Sequence, residues 1–247
     1  MKKDMTLSVL KKQIIFYSNQ NLQADLILTY NDNVKAAFDG IDFLDKKETS
    51  VRSIGIPRFY DLSSKKVSEN NGVIFFSFDI LEKSRQLNLS SSQRLFLENR
   101  INSFISLFSD FVFENQNIPI LIKTKSNIKF LESAKKQFRR IINLPNVNFT
   151  NLGNSIDLIL DKKLVIGFNS TTLVEAIILG KKVISMDSRD TPIECMFSNT
   201  RLFEVFCPKI DNLNFFNSYC SKKKINVVDK EEWLRAKSKF LGDEIIN

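Results

Sequence analysis

The sequence from Gly72 onward predicts an α/β domain with a doubly wound, Rossmann-like parallel sheet. Short apolar runs alternate there with longer segments whose apolar residues recur at helical spacing, the pattern of strands joined by crossover helices. The strand candidates are residues 73–78 (VIFFSF), 118–124 (IPILIKT), 146–150 (NVNFT), 164–168 (LVIGF) and 182–187 (KVISMD).

Helical patterns fill the gaps between these strands. Residues 92–114 form a long amphipathic pattern, and residues 126–143 form a second one with a basic outer face. A short helix is predicted at 155–160, and residues 170–180 form a helix that stops at Gly180. Ligands of such a sheet are expected beyond the carboxyl ends of its strands.

The first sixty residues are too short for a second complete domain. They predict a strand at 24–30, a helix at 31–41 and a strand at 51–57. We therefore expect four parts: a remnant of an α/β domain at 1–62, a linker at 63–71, the main domain at 72–228, and a C-terminal helix within 229–247 that packs on the remnant.

Composition excludes several classes of protein. The chain has 247 residues, 43% of them hydrophobic, and a formal net charge of +8, which favours acidic partners. The lysines are scattered and no nucleic-acid motif occurs, so a nucleic-acid partner is not expected. The N-terminus fails as a signal peptide because Lys11, Lys12 and Gln13 interrupt its apolar run.

Histidine is absent from the chain, which excludes Ser-His-Asp and Cys-His chemistry. Cys195, Cys207 and Cys220 lack the spacing of a disulfide framework or a zinc site. We therefore expect neither a bound metal nor a cofactor.

The segment GFNSTTLVEAIILG (167–180) raises a specific question. Thr172 and Glu175 have the spacing of a capping box, in which Thr172 caps the helix and Glu175 reaches back to it. The same helix start, together with the hydroxyls of Ser170 and Thr171, also fits an anion-binding site. The residues alone leave both interpretations open, and the segment lacks the Gly-Lys-Ser or Gly-Lys-Thr of a Walker A loop.

Three segments together resemble one family. Residues 164–187 (LVIGFNSTTLVEAIILGKKVISMD) resemble the donor-nucleotide segment of GT-B glycosyltransferases that build bacterial surface carbohydrates, including capsule and lipopolysaccharide. Residues 53–62 (SIGIPRFYDL) are similar to the signature at the crossing between the two domains of these proteins. Residues 72–85 (GVIFFSFDILEKSR) resemble the first strand and loop of their C-terminal domain.

The resemblance implies a set of site residues. Ser170, Thr171 and Thr172 would hold the phosphates of a nucleotide-sugar, and Glu175 its ribose. Further candidates are the phosphate contacts Lys123 and Lys125, and the crevice residues Ser77, Asp79, Arg58 and Asn169. Five of these six further candidates have a structural alternative: exposed strand ends for Lys123, Lys125, Ser77 and Asp79, and a surface pair with Asp61 for Arg58.

Two positions depart from the family pattern. Lys125 and Ser126 replace a His-Pro turn, and Ile56 stands where an asparagine is expected at the domain crossing. The chain also begins near the end of the family's N-terminal domain, so most of the acceptor domain is expected to be missing and the isolated chain weakly active or inactive.

The function implied is transfer of a sugar from a nucleotide donor to a glycan or lipid-linked acceptor in surface polysaccharide synthesis. Such chemistry depends on positioning and on stabilising the departing phosphate, and no catalytic base is identified. The resemblance implies a cytoplasmic location with peripheral contact at the inner face of the membrane, and a separate N-terminal domain chain as a partner. The alternatives are a non-catalytic truncated or split-enzyme domain and, less favoured because histidine is absent, a sugar-nucleotide 2-epimerase.

Overall fold

The computed structural model describes seven parts of the chain. They are residues 25–29, 32–39, 49–53, 72–86, 88–168, 170–186 and 212–221. The first three ranges belong to one compact unit and the other four to a second. Arg58, Asn169, the linker at 63–71 and the expected C-terminal helix lie outside the described residues.

The first unit is a short strand-helix-strand motif. Strands β1 (Leu26–Thr29) and β2 (Ser50–Ser53) pair in parallel, and helix α1 (Asp32–Asp39) lies between them in the chain. Val34 and Ala37 bury the inner face of α1. The motif agrees with the elements predicted at 24–30, 31–41 and 51–57, although β2 begins at Ser50.

The second unit contains the main sheet. Its strands are β3 (Gly72–Phe76), β4 (Ile120–Lys123), β5 (Val147–Thr150), β6 (Lys162–Gly167) and β7 (Lys182–Ser185). Its helices are α2 (Ile80–Gln86), α3 (Ser91–Glu114), α4 (Ile128–Gln137), α5 (Ser155–Leu160), α6 (Thr171–Ile178) and α7 (Leu213–Ser221).

The strand order confirms the doubly wound α/β prediction. The five strands run in the order β5-β4-β3-β6-β7, and every neighbouring pair is parallel. The chain starts in the middle of the sheet at β3, builds outward through β4 and β5, then returns to β6 on the other side. Because crossovers between parallel strands are almost always right-handed, this order is expected to put the helices of the two halves on opposite faces of the sheet.

Alternating strand residues supply the two buried faces. Val73 and Phe75 join the large cluster that includes α3, α4 and Phe216 of α7, whereas Ile74 points to the other side, toward α5 and α6. Phe75 is the centre of the first face. Its ring lies 5.0 Å from that of Phe108 and 4.9 Å from that of Phe138.

Gly180 ends α6 as the sequence predicts. Its φ is +68°, its backbone N–H donates to the carbonyl of Ile177, and the N–H of Lys181 donates to that of Ala176. This is a Schellman motif, which a residue with a Cβ adopts only with strain.

Two helices were not predicted. Residues 79–85 were expected to be a loop and 212–221 had no predicted element, but α2 and α7 lie there. Asp79 and Glu82 have the spacing of a helix start, and this signal was available. Among the helices in the described ranges, none is long and apolar enough to cross a bilayer.

Candidate functional site

The carboxyl ends of β3 and β6 form the switch point of the sheet. These strands are neighbours, but the chain leaves them toward opposite halves, so the loops that follow them diverge, and a ligand-binding crevice is expected at such a point. Phe78 and Phe168 stack across this point, with ring centroids 5.1 Å apart and planes inclined by 27°. Sequence reasoning missed this aromatic pair because the two rings are ninety residues apart in the chain.

Helix α6 begins at this crevice. Ser170 is its N-cap, with extended backbone, and its Oγ accepts from the backbone N–H of Thr172 at 3.3 Å. The hydroxyls of Ser170 and Thr172 are also 2.7 Å apart and share a hydrogen bond, while Thr171 is exposed. Two of the three predicted phosphate contacts are therefore bonded to each other at the helix start.

The predicted capping box at Thr172 is wrong. The helix begins two residues earlier than that prediction requires, so Thr172 is its second residue and Glu175 its fifth. Serine and threonine are both good caps, and the extended backbone at Ser170 decides between them. The absence of a side chain at Gly167 lets Leu173 of α6 pack closely against the end of β6, since a Cβ at Gly167 would lie 3.1 Å from Cδ2 of Leu173.

Glu175 is buried within α6. Only 3% of its surface is exposed, and it has an interaction partner within the protein. A buried carboxylate is stable only with compensating polar or charged groups. Glu175 is thus a fixed group one turn inside the helix rather than a mobile surface side chain.

The polar residues after β3 are held by the protein itself. Asp79 caps α2, accepting from the backbone N–H of Glu82 at 2.8 Å and from the hydroxyl of Ser133 at 3.2 Å. Ser77 donates to Oε1 of Gln137 at 3.3 Å. These bonds connect the end of β3 to α2 and α4, and they fix one wall of the crevice.

The two candidate lysines at and after the end of β4 differ in their surroundings. Lys123 is buried, and its ammonium group donates to the carbonyls of Thr124 and Asn151, which joins the loops after β4 and β5. Burial lowers the pKa of Lys123. Its position excludes the exposed strand end considered as an alternative.

Lys125 lies at the surface. More than half of its side chain is exposed, its Nζ pairs with Oε1 of Glu82 at 2.7 Å, and it lies 5.5 Å from the ring centroid of Phe130. The pair joins the loop after β4 to α2. Glu82 was missed by the sequence analysis because the helix that carries it was not predicted.

Helix starts give this edge of the sheet its electrostatic character. Four helices that follow strands or strand loops begin here, and side-chain oxygens cap them: Asp79 for α2, Asn127 for α4, Asn154 for α5 and Ser170 for α6. The N-terminus of a helix bears a partial positive charge and backbone N–H groups. The carboxyl edge therefore favours an anionic ligand.

A cavity of about 470 Å³ lies at the opposite, amino edge. Its lining includes Phe111, Asn115, Lys163, Asn217 and Cys220. Helices α3 and α7 end beside it, so their negative ends face this space. These helix ends disfavour a phosphate in the cavity, and we therefore assign the anion site to the carboxyl edge.

Metal-ligating side chains do not cluster in the part of the chain that the structure describes. No group of three or more His, Cys, Asp or Glu residues comes together in these ranges. The described carboxylates nearest the crevice are also engaged, Asp79 as a cap and Glu82 with Lys125. The geometry thus offers hydroxyls, backbone N–H groups and lysines, which suit the binding of phosphate.

Comparisons with known proteins give fold relatives. No known protein family and no curated protein matches the sequence. Among solved structures, a variant of the wall teichoic acid polymerase TagF is similar over 93% of this chain and 57% of its own, with 13% identity and a TM-score of 0.50.

Two further structures are similar at lower scores. The UDP-GlcNAc 2-epimerase of Methanocaldococcus jannaschii, in complex with UDP-GlcNAc and UDP, matches 86% of this chain and 59% of its own, with 11% identity and a TM-score of 0.47. The pneumococcal O-GlcNAc transferase GtfA, in complex with UDP and GlcNAc, matches 90% and 43%, with 10% identity and a TM-score of 0.45.

These likenesses concern the fold. The parallel five-stranded sheet flanked by helices matches the Rossmann-like architecture of such structures, which confirms the predicted fold class. The chain spans less than two thirds of the length of these relatives, with 57% of TagF covered.

Proposed function

We propose that this protein binds a nucleotide-sugar at the carboxyl edge of the sheet and takes part in glycosyl transfer to a glycan of the bacterial surface. The observation that carries the proposal is the capped start of α6 at the switch point between β3 and β6. Backbone N–H groups, two hydroxyls and the positive helix end converge there, and this combination suits a diphosphate.

The proposed roles follow from position. Ser170, Thr171 and Thr172 contact the diphosphate, Glu175 holds the ribose, and Lys125 adds a cation from the neighbouring loop. Lys123 acts indirectly, because its ammonium group holds the loops after β4 and β5 together. Neighbouring strands are about 5 Å apart, so β4 and β6 lie about 10 Å apart, within reach of a lysine side chain from Lys125.

In the proposed reaction an acceptor hydroxyl attacks the anomeric carbon as the bond to the nucleoside diphosphate breaks, and the hydroxyl proton passes to solvent or to the departing diphosphate. Negative charge grows on the departing diphosphate, and the positive end of α6 stabilises it there. We assign no general base, because the described carboxylates Asp79 and Glu82 are engaged in structural contacts.

The engagement of Asp79 and Glu82 in structural contacts also favours a second candidate function. Asp79 has both oxygens occupied, which suits a domain that binds nucleotide and leaves acid-base chemistry to another protein. A sugar-nucleotide 2-epimerase is a third candidate within this fold and would share the nucleotide site. Product analysis separates the three: sugar on an added acceptor, no turnover, or a change of configuration at C2 of the donor sugar.

Calorimetric titration tests the site directly. We expect wild type to bind at least one of CMP, CDP, UDP and GDP, and Ser170→Ala to weaken binding of that nucleotide by about ten-fold. Ser90→Ala is the matched control, since Ser90 caps α3 in the same way and lies outside the proposed site. Failure of wild type to bind any of the four, or equal losses in both variants, would falsify the site.

The proposed role of Glu175 in ribose binding needs a separate experiment. Glu175→Gln keeps the volume of this buried side chain, and we expect it to weaken nucleotide binding while leaving pyrophosphate binding unchanged. Equal loss for both ligands would indicate a general disturbance of α6. Unchanged nucleotide binding would remove Glu175 from the site.

A further inference from the structure

The end of the sheet at β4 and β5 presents two exposed aliphatic side chains. Ile128, the first residue of α4, is 56% exposed, and Leu152, in the loop after β5, is 71% exposed. Exposed aliphatic side chains are common singly, but here they project from loops that follow neighbouring strands. They therefore lie on adjoining loops at one end of the sheet, here called the tip.

Hydrogen bonds hold the two loops together. The side-chain amide of Asn151 donates to the carbonyl of Ser126 at 2.7 Å, and Lys123 donates to the carbonyl of Asn151 from below. The backbone N–H of Leu152 is bonded to Oγ1 of Thr150 at 3.0 Å. The tip is thus a rigid feature of the fold and not two independent loop residues.

A basic surface continues from the tip along α4. Lys129, Lys135 and Lys136 are exposed on this helix, and Arg139 is exposed in the turns that follow it. Ile128 and Lys135 lie seven residues apart and share one helix face with Glu132 between them. Four cations against one carboxylate give this surface a net charge of +3.

These four cations differ from their neighbours Lys125 and Arg140, which pair with Glu82 and Asp110. Among the described residues, no carboxylate forms an ion pair with Lys129, Lys135, Lys136 or Arg139. An unpaired basic surface attracts an extended anionic partner and gains counterion release on contact.

We propose that the tip and the basic face of α4, together the α4 tip surface, dock on an anionic lipid bilayer. Ile128 and Leu152 would enter the boundary between headgroups and acyl chains, and Lys129, Lys135, Lys136 and Arg139 would lie over the anionic headgroups. A nucleic acid is disfavoured, because its bases stack on exposed aromatic rings, whereas the tip is aliphatic.

The inference is independent of nucleotide binding. Its consequence for location is that the carboxyl edge of the sheet, where both tip residues lie, faces the bilayer surface. A protein docked in this way would bind weakly and reversibly, since few cations and two aliphatic side chains contribute.

Vesicle co-sedimentation tests the proposal with the full chain. The probes are phosphatidylcholine vesicles with and without about 30% phosphatidylglycerol, a composition chosen to span the anionic range of cytoplasmic leaflets. We expect binding to the anionic vesicles alone. Replacing Lys129, Lys135 and Lys136 by Gln should weaken it by about 100-fold, at roughly five-fold per cation.

The apolar tip has a separate variant and a matched control. Ile128→Ser with Leu152→Ser should weaken vesicle binding by about ten-fold, because aliphatic burial is lost while the charge is kept. Arg94→Gln with Leu95→Ser changes a similarly exposed pair on α3 and should leave binding unchanged. Equal melting temperatures show that all the variants are folded.

Three outcomes overturn the proposal. The first is no binding of wild type to anionic vesicles, and the second is an equal loss in the α3 control, which would indicate net charge alone. The third is vesicle binding insensitive to the Ile128 and Leu152 changes, together with equally tight binding of heparin, which would indicate a soluble polyanion as the partner.

Discussion

The two edges of the five-stranded sheet satisfy the ends of their helices in opposite ways. At the carboxyl edge, helices begin, and short side chains such as Asn127 and Ser170 accept from their first N–H groups. At the amino edge, helices end, and buried lysines donate to the last carbonyls of α5 and α7. Lys181 donates to the carbonyl of Leu160 in α5, and Lys182 to those of Tyr219 and Cys220 in α7.

This difference indicates that ligand binding and the stability of the fold depend on opposite edges of the sheet. Asparagine and serine caps leave the positive ends of α4, α5 and α6 accessible to an anion, whereas buried ammonium groups partly offset the negative ends of α5 and α7. The cavity of about 470 Å³ therefore lies at the edge where helix ends already have buried lysines as partners. The proposed site lies where they are only partly satisfied.

The largest expected effect is on the amino edge. Lys182→Met removes a buried ammonium group that donates to two carbonyls, and we expect the free energy of unfolding to fall by about 2 kcal/mol. Urea denaturation measures it. Lys125→Met at the carboxyl edge is the matched control, with a loss under about 0.5 kcal/mol, because its ion pair is exposed. Equal losses would remove the proposed distinction between the edges.

Alkaline pH should weaken the amino edge through Cys220. Burial raises the pKa of this thiol to about 12, against an ordinary value of 9.0. Its contribution to stability is therefore complete below pH 9 and is lost as pH rises toward 12, since the unfolded thiol ionises first. We expect wild type to lose about 1.4 kcal/mol more than Cys220→Ala between pH 8 and pH 10. Parallel losses in the two proteins would show that the thiol is not protected.

A smaller effect is expected at the start of α6. Ser170→Ala removes the N-cap and should lower the free energy of unfolding by about 1 kcal/mol. The neighbouring Thr171→Ala changes an exposed hydroxyl at the first helical position and should change it by less than about 0.5 kcal/mol. Denaturation curves of the two variants compare them, and the reverse order would place the cap at Thr171.

The smallest effect concerns the accessible cation of the carboxyl edge. Glu82→Gln releases Lys125 from its ion pair, and we expect pyrophosphate to bind about two-fold more tightly, the scale of an exposed pair. Titration calorimetry measures it. The gain should vanish when Lys125→Met is added, and a gain that persists would exclude Lys125 as the source.

The fold was largely predictable because its signals are local. Each strand of the main sheet is a short apolar run, and the helix at 155–160 begins and ends where the sequence predicts. Gly180 stops α6 because only a positive φ satisfies the last carbonyls there. Helix α2 was also predictable, because the sequence shows Asp79 at the position of a helix cap.

The burial and hydrogen-bond partners of the candidate site residues were less predictable, because they depend on contacts with residues distant in the chain. Lys123 is buried by the loop at Asn151, and Ser77 is bonded to Gln137, so neither environment follows from its own segment. The choice of Ser170 over Thr172 as the cap depends on backbone geometry that residue type does not specify. Arg58 and Asn169 remain predictions.

The consecutive residues Gly180, Lys181 and Lys182 limit how the chain can change in length. Lys181 reaches the end of α5 on one face of the sheet, and Lys182 reaches the end of α7 on the other. Inserting or deleting a single residue after Gly180 would exchange the faces to which the two ammonium groups point. We expect homologous chains to vary freely in length around the carboxyl-edge loops but to keep this connection at one fixed length.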